Sequence, residues 1–424
     1  MSTNSAKISH VTGILLLLFA ISTLVSQSLM DLFSTLLCLY LAFQWLMAKK
    51  QNRDFQAVQK MGFDWLWLAW FVVCAIGFAL NRPPPPETPE NFWMARLVEF
   101  KWIFILYFMV GGLHLAKFKE DSMKWFNGAV LLCSAYAIVD YFLQVQNATP
   151  TDDVRLGGLF QFSMTYAHSY GIFFCALLGL FFEISKTLPP KKRLFYLCTL
   201  IVLGLSVLLT YTRGVWIAAF VSVIAISFLW RVRNGFIAII ACSLGAAVLY
   251  FAVPSVKNRV DFTAKIADAS TAKQTYDSER VVLWKTNLMI FKDHPWFGTG
   301  YGQNKFHLHE YYEKQGLPKD QFIGHAHNQY LHLLAGTGVL GLLCYLGLLG
   351  TMAVMTLVAF LKIPKENLFY KGLALGALGG QICFAVGSLT ESNFEHSKVR
   401  FAIMFMWAIG LWLWQETKQK KALP

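Results

Sequence analysis

Two imidazoles and a carboxamide stand together at Gly324-His325-Ala326-His327-Asn328-Gln329-Tyr330, where a long polar stretch runs into an apolar segment, Leu331 to Leu361. Imidazole changes charge near its ordinary pKa of about 6.5, so such a pair can hold or move a proton at neutral pH. The segment that follows is hydrophobic enough to cross a bilayer, which takes about 20 apolar residues. Titratable groups are thus held where water, membrane and a folded loop meet, a place where ionisable side chains are functional candidates by default. Arginines occupy comparable positions. Arg213, in Thr210-Tyr211-Thr212-Arg213-Gly214-Val215-Trp216, has only a few residues between two long apolar runs and is forced to the membrane boundary. Left unpaired there it costs several kcal/mol, so it needs a fixed anion or must snorkel to lipid headgroups. Arg155, before Gly157-Gly158, has two readings of the same kind: an anion or sugar contact beside a turn that admits close backbone approach, or an interfacial anchor. Arg280 lies within the polar stretch, which also holds the glycine-rich turn His294-Pro295-Trp296-Phe297-Gly298-Thr299-Gly300-Tyr301-Gly302.

The elements that must position these groups are set by composition. With 56% hydrophobic and 14% charged residues and a mean hydropathy of +0.47, a 424-residue chain is too apolar for a soluble globular protein. It reads as an all-α polytopic membrane protein of about twelve transmembrane helices, separated by short basic or proline-rich breaks. The expected organisation is nine helices over residues 1–253, a large, partly helical outer loop over 254–325 capping the outer face, and helices ten to twelve with a short cytoplasmic tail over 326–424. No small-residue cleavage site follows the first apolar run, so no cleaved signal peptide is expected. All eight cysteines fall inside expected spans, which indicates neither a disulfide framework nor a thiolate metal site.

A net charge of +13 raises the question of nucleic acid, but the distribution of Lys and Arg answers it. They concentrate in alternate loops: Lys49 to Lys60, Lys117 to Lys124, Lys186 to Arg193, Arg231 with Arg233, Lys362 to Lys371, and Lys418 to Lys421. That is the positive-inside pattern; it puts both termini in the cytoplasm and the long insertion outside, with membrane lipids and no nucleic acid as partners.

The insertion is too long for an idle connection and is expected to form an ordered cap. Within it Arg280 to Phe291 has a helical apolar pattern able to lie on a membrane surface. Elsewhere, Pro83 to Pro86 reads as a stiff connector, Arg96 and Glu99 as an i, i+3 pair or a site, and His332 as a packed or headgroup-facing histidine. Tyr166 and His168 open the sixth span. Glu391, Glu395 and His396, in the last outer loop, are either acceptor-sugar contacts or solvated residues. His307, His309 and His325 allow a zinc site to be imagined, but no cysteine and no His-Glu-x-x-His pattern supports a metal.

From His327 the chain reads His-Asn, nine residues, Gly338, two residues, Gly341. With Arg213, Arg280 and the Pro295 to Gly302 turn in this order, it resembles the O-antigen ligase family of bacterial surface polysaccharide assembly, over roughly residues 150 to 390. The resemblance implies an inverting glycosyltransferase without metal or cofactor, on the periplasmic side of a bacterial inner membrane. Its donor would be O-antigen on undecaprenyl diphosphate and its acceptor a hydroxyl of lipid A–core. It implies His327 as catalytic base and Arg213 and Arg280 on the donor diphosphate; beside them, Arg155 is read as a further diphosphate contact and His325, Asn328, Tyr211 and Glu391 as contacting the acceptor or supporting the site. An O-antigen polymerase, an O-linked oligosaccharyltransferase and, in another class, a lipid-linked sugar transporter stay open.

Overall fold

In lipid every backbone N–H and C=O must find a partner within the protein, and a helix does this within one segment. Among the described residues of the computed structural model, 3–51, 60–82, 88–116, 118–149, 154–252, 254, 256–258, 261, 276–317 and 324–419, regular structure is helical throughout. The Pro83 to Pro86 connector and residues 262–275 of the insertion lie outside them. The helices are α1 (Thr3–Ser22), α2 (Gln27–Lys50), α3 (Asp64–Leu80), α4 (Phe92–Glu99), α5 (Lys101–Ala116), α6 (Glu120–Asn147), α7 (Ser163–Ile184) and α8 (Pro190–Leu208). There follow α9 (Arg213–Trp230), α10 (Val232–Ala252), α11 (Tyr276–Asp293), α12 (Asn304–Lys314), α13 (Gln329–Lys362), α14 (Leu368–Gly387) and α15 (Ser397–Lys418).

Among the described residues, eight runs are long and apolar enough to cross a membrane: α2, α4 with α5, α6, α7, α9, α10, α13 and α14. Two shorter apolar helices, Ala6–Ser22 and α3, accompany them. With α8 and α15, each of the twelve segments read from the sequence corresponds to a helix. The chain is a multi-pass membrane protein. At the centre α7 and α14 meet backbone to backbone, where a Cβ on Gly179 would stand 2.7 Å from Gly376 N; small residues permit such approach between apolar helices.

α13 departs from the single apolar helix expected over Leu331 to Leu361. It breaks at Gly338, whose φ of 64° and ψ of −172° belong to a region open only to glycine. The glycine-rich turn repairs the break. Thr299 and Gly300 N–H donate to the carbonyls of Ala335 and Gly336 at 3.1 and 2.8 Å, while Val339 and Leu340 N–H donate to those of Pro295 and Trp296 at 2.8 and 3.3 Å. Asn81, at the end of α3, donates through its amide to the Gly298 carbonyl at 2.8 Å and ties the turn to the bundle.

α11 packs part of its apolar side on protein: Leu283 and Ile290 bury against Leu308, Tyr311 and Tyr312 of α12 and Ala335 of α13, while Val281 and Leu288 stay exposed. Below the turn, Trp70, Trp102, Tyr345 and Phe394 form an aromatic core, with Phe394 centroids 5.1 Å from Trp102 and 5.6 Å from Tyr345. Phe394 anchors the loop between α14 and α15, which carries Glu391.

Candidate active site

Four helices, α7, α9, α13 and α15, begin at the same end of the bundle, and the site lies among their first turns. His327 sits just before α13. Asn328 caps that helix, its Oδ1 accepting from Tyr330 and Leu331 N–H at 3.0 and 3.1 Å, as a short polar side chain at the N-cap does. That oxygen therefore serves the helix. Upstream, Trp284 Nε1–H of α11 donates to the Ala326 carbonyl at 2.9 Å. Between these two fixings His327 takes a left-handed conformation, φ 46°, which is uncommon away from glycine and is held by its surroundings.

Those surroundings centre on Glu391. Its side chain is 2% exposed, and Oε2 lies 3.0 Å from His327 Nδ1. Ser392 N–H donates to Oε1 at 3.0 Å, His325 Nδ1 lies 3.4 Å from the same oxygen and His396 Nε2 3.9 Å from it. Burial alone would raise the Glu391 carboxyl, but hydrogen bonds from His327 and His396 and the charges of His325 and His327 hold it well below the usual carboxylate range. An ionised carboxylate only accepts, so His327 Nδ1 must carry the hydrogen, which leaves Nε2 as the basic nitrogen. Burial is also the main reason the His325 imidazole is pulled down to about 4, the neighbouring imidazoles adding to it against the pull of Glu391. The solvated-loop reading of Glu391 fails, since an ion of this kind is buried only with partners.

The loop that carries Glu391 is stitched to the start of α13. Gln329 N–H donates to the Ser388 carbonyl at 2.8 Å, and Phe394 N–H donates to Gln329 Oε1 at 3.0 Å. Asn393 joins Ser388 Oγ, at 2.8 Å, and buried His168, at 3.4 Å. His168 lies close enough to feel the charges of Glu391, His396 and Arg280; the sequence marked it only as opening a span.

The arginines converge on this end. Gly214, next to Arg213 at the start of α9, is pressed against Thr390, where a Cβ would collide with the threonine side chain. Arg213 thus stands one residue from a contact with the neighbour of Glu391. Arg280 is one turn before Trp284 and shares its helix face, which brings it over the His327 segment. Arg155 is brought to the α8–α9 turn by Leu156 N–H, which donates to the Leu209 carbonyl at 3.2 Å. Tyr211 in that turn has φ 52° and pairs with Tyr141 of α6.

A second polar group supports the first. Arg96 donates to Glu395 Oε2 at 2.7 Å and to Glu99 Oε2 at 3.1 Å, the pairing expected of Arg96 and Glu99, while Tyr301 OH donates to Glu395 Oε1 at 2.7 Å. Burial would raise the Glu395 carboxyl; Arg96 foremost holds it at about 2. Glu395 is therefore a buried ion in a network rather than a solvated residue. His332 is 2% exposed and its Nδ1 lies 3.1 Å from the Asn304 amide, which makes it a packed histidine.

Among the described residues, His325, Glu391 and His396 form a group whose donor atoms all lie within 4.8 Å of one another, as metal ligands would. His307 and His309, entertained for zinc from the sequence, are not part of it.

Fold and site together define a class: a multi-pass, all-helical membrane protein with an acid–base pair and converging arginines at one end of its bundle. Residues 198–346, from α8 through the break in α13, match the family model described as O-Antigen ligase. Members of that family are glycosyltransferase-like enzymes acting on lipid-linked glycans. No curated protein matches the chain.

Proposed function

We propose that the protein is an O-antigen ligase, an inverting glycosyltransferase that moves a glycan from undecaprenyl diphosphate to a sugar hydroxyl of lipid A–core at the periplasmic face of the inner membrane. The observation that carries this reading is His327 Nδ1 held at 3.0 Å by buried Glu391, beside a turn that begins with Arg213. His327 Nε2 takes the proton of the acceptor hydroxyl as its oxygen bonds to the anomeric carbon. The bond from that carbon to the diphosphate breaks, and undecaprenyl diphosphate leaves with the electron pair. Arg213 and Arg280, with Arg155 behind them, neutralise the charge that develops on it; planar guanidinium forks suit phosphate oxygens. The first-turn N–H groups of four converging helices add positive potential at the same end. Glu391 stabilises the imidazolium formed in between, which then yields its proton to solvent or product.

The test is reconstitution of the purified protein with lipid-linked glycan and lipid A–core. Formation of the glycosidic product supports the reading; lipid movement across the bilayer without product would make it a transporter. In cells, loss of the protein should leave long lipid-linked polymer that never reaches lipid A–core. Accumulation of single repeat units instead would make it a polymerase.

A further inference from the structure

We propose that His325, Glu391 and His396 form a binding site for a divalent transition-metal ion of the zinc type, and that the ion inhibits transfer rather than assisting it. Two imidazoles and one carboxylate are an ordinary zinc donor set. Bonds of about 2.0–2.1 Å in a tetrahedron space the donor atoms about 3.4 Å apart. His325 Nδ1 stands 3.4 Å from Glu391 Oε1, His396 Nε2 stands 3.9 Å from it, and all three donor atoms lie within 4.8 Å of one another, so His396 must draw in toward the other two to complete the set.

The hydrogen bonding supports this. His327 N–H donates to His325 Nδ1 at 3.4 Å, which puts the lone pair, not a proton, on that nitrogen. That lone pair also faces Oε1 of an ionised carboxylate. A cation placed between this lone pair and the ionised oxygen would be attracted by both. The existing N–H contact is long and weak, so a metal–nitrogen bond replaces it readily. Oε1 accepts from Ser392 N–H at 3.0 Å and lies 3.2 Å from His327 Nδ1; a metal on Oε1 replaces that longer contact, and His327 keeps Oε2 at 3.0 Å.

Inhibition follows from place. The His325 and His327 ring centroids are 4.4 Å apart, so a dication bound to His325 and Glu391 lies beside the base. It draws on the carboxylate charge that stabilises the imidazolium and itself repels that imidazolium. Three protein ligands also leave a fourth position open, which a phosphate or hydroxyl oxygen can fill unproductively.

The inhibitory half rests on the proposed transfer reaction; the binding half does not, so the two are read separately. Full-length protein in detergent, stripped with EDTA, is titrated with zinc chloride by calorimetry and with cobalt chloride by visible absorption. One ion per chain is expected, with intense d–d bands marking low coordination number. His396→Ala should weaken zinc by at least about tenfold. Failure to bind, or binding that His396→Ala leaves unchanged, would overturn the site. In the transfer assay, zinc should lower the rate along the binding curve and EDTA should restore it, while His396→Ala, compared with its own metal-free rate, should need at least about tenfold more zinc. Binding without inhibition, or a rate that rises with zinc, would overturn the inhibitory role. An inactive preparation that still binds one cobalt ion through His396 would count against the transfer reading alone.

Discussion

The buried carboxylate of Glu391 accepts from Nδ1 of His327 at 3.0 Å across 64 positions of sequence, and this pairing fixes both the tautomer and the ring of the base. If His327 moves the proton, His327→Ala should lose about 100-fold or more in turnover with donor binding intact. Glu391→Gln should lose less, and in kcat rather than KM, because it keeps an acceptor oxygen but not the charge. The double variant should be no worse than His327→Ala alone, since residues acting as a unit are not additive. Steady-state kinetics of the three variants decides the matter; a fully active His327→Ala would put the chemistry on another residue.

For the arginines, replacement by alanine at Arg213 or Arg280 should cost about 2–4 kcal/mol of barrier, or roughly 30- to 1000-fold in rate. Lysine should rescue only partly, as a point charge cannot reproduce the planar fork. Folding should be unaffected by size-exclusion profile. An alanine variant within about threefold of the wild-type rate would remove that arginine from the diphosphate.

Much of this was legible in sequence because the signals were local. Long apolar runs gave helices, and imidazoles or arginines at their ends marked one face. The companions of those residues were not legible. Glu391 pairs with His327, and Glu395 with Arg96, 299 positions away; no periodicity or spacing encodes such pairings. The cap made by Asn328 was not legible either: an Asn before a helix serves caps and sites alike, and only the bonds to Tyr330 and Leu331 N–H reveal the cap. For α11, amphipathicity tells that one side is covered, not by what: Leu283 and Ile290 lie on α12 and α13.

The break in α13 makes a stability prediction. Gly338→Ala and Gly298→Ala should each lower the yield of folded protein and its melting temperature, because both glycines have positive φ and a Cβ at either would collide with backbone of the opposite strand of the contact. Strain alone is worth about 1–3 kcal/mol. Gly350→Ala, further along α13 with nothing within 4 Å of its Cβ position, should be neutral or slightly stabilising, by up to about 1 kcal/mol. Equal melting temperatures for the first two variants and wild type would mean that the turn does not hold the break.

The unit formed by α11 and α12 should loosen in mild acid through His307. Its side chain is 14% exposed, and Nε2 has no hydrogen-bond partner among the described residues. Burial, and then His294, pull the imidazole down to about 4; Glu310 opposes this and Lys314 adds to it. The ordinary value is about 6.5. Between these two values the unfolded segment binds a proton that the folded one refuses, so stability is complete above about pH 6.5, falls as pH drops and levels off below about 4. His307→Phe, which fills similar space without titrating, should flatten that slope. Hydrogen exchange of α11 and α12 amides, followed from pH 7 to pH 4 and corrected for intrinsic rates, reads the difference directly. A slope that the variant shares with wild type would assign the acid sensitivity to some group other than His307.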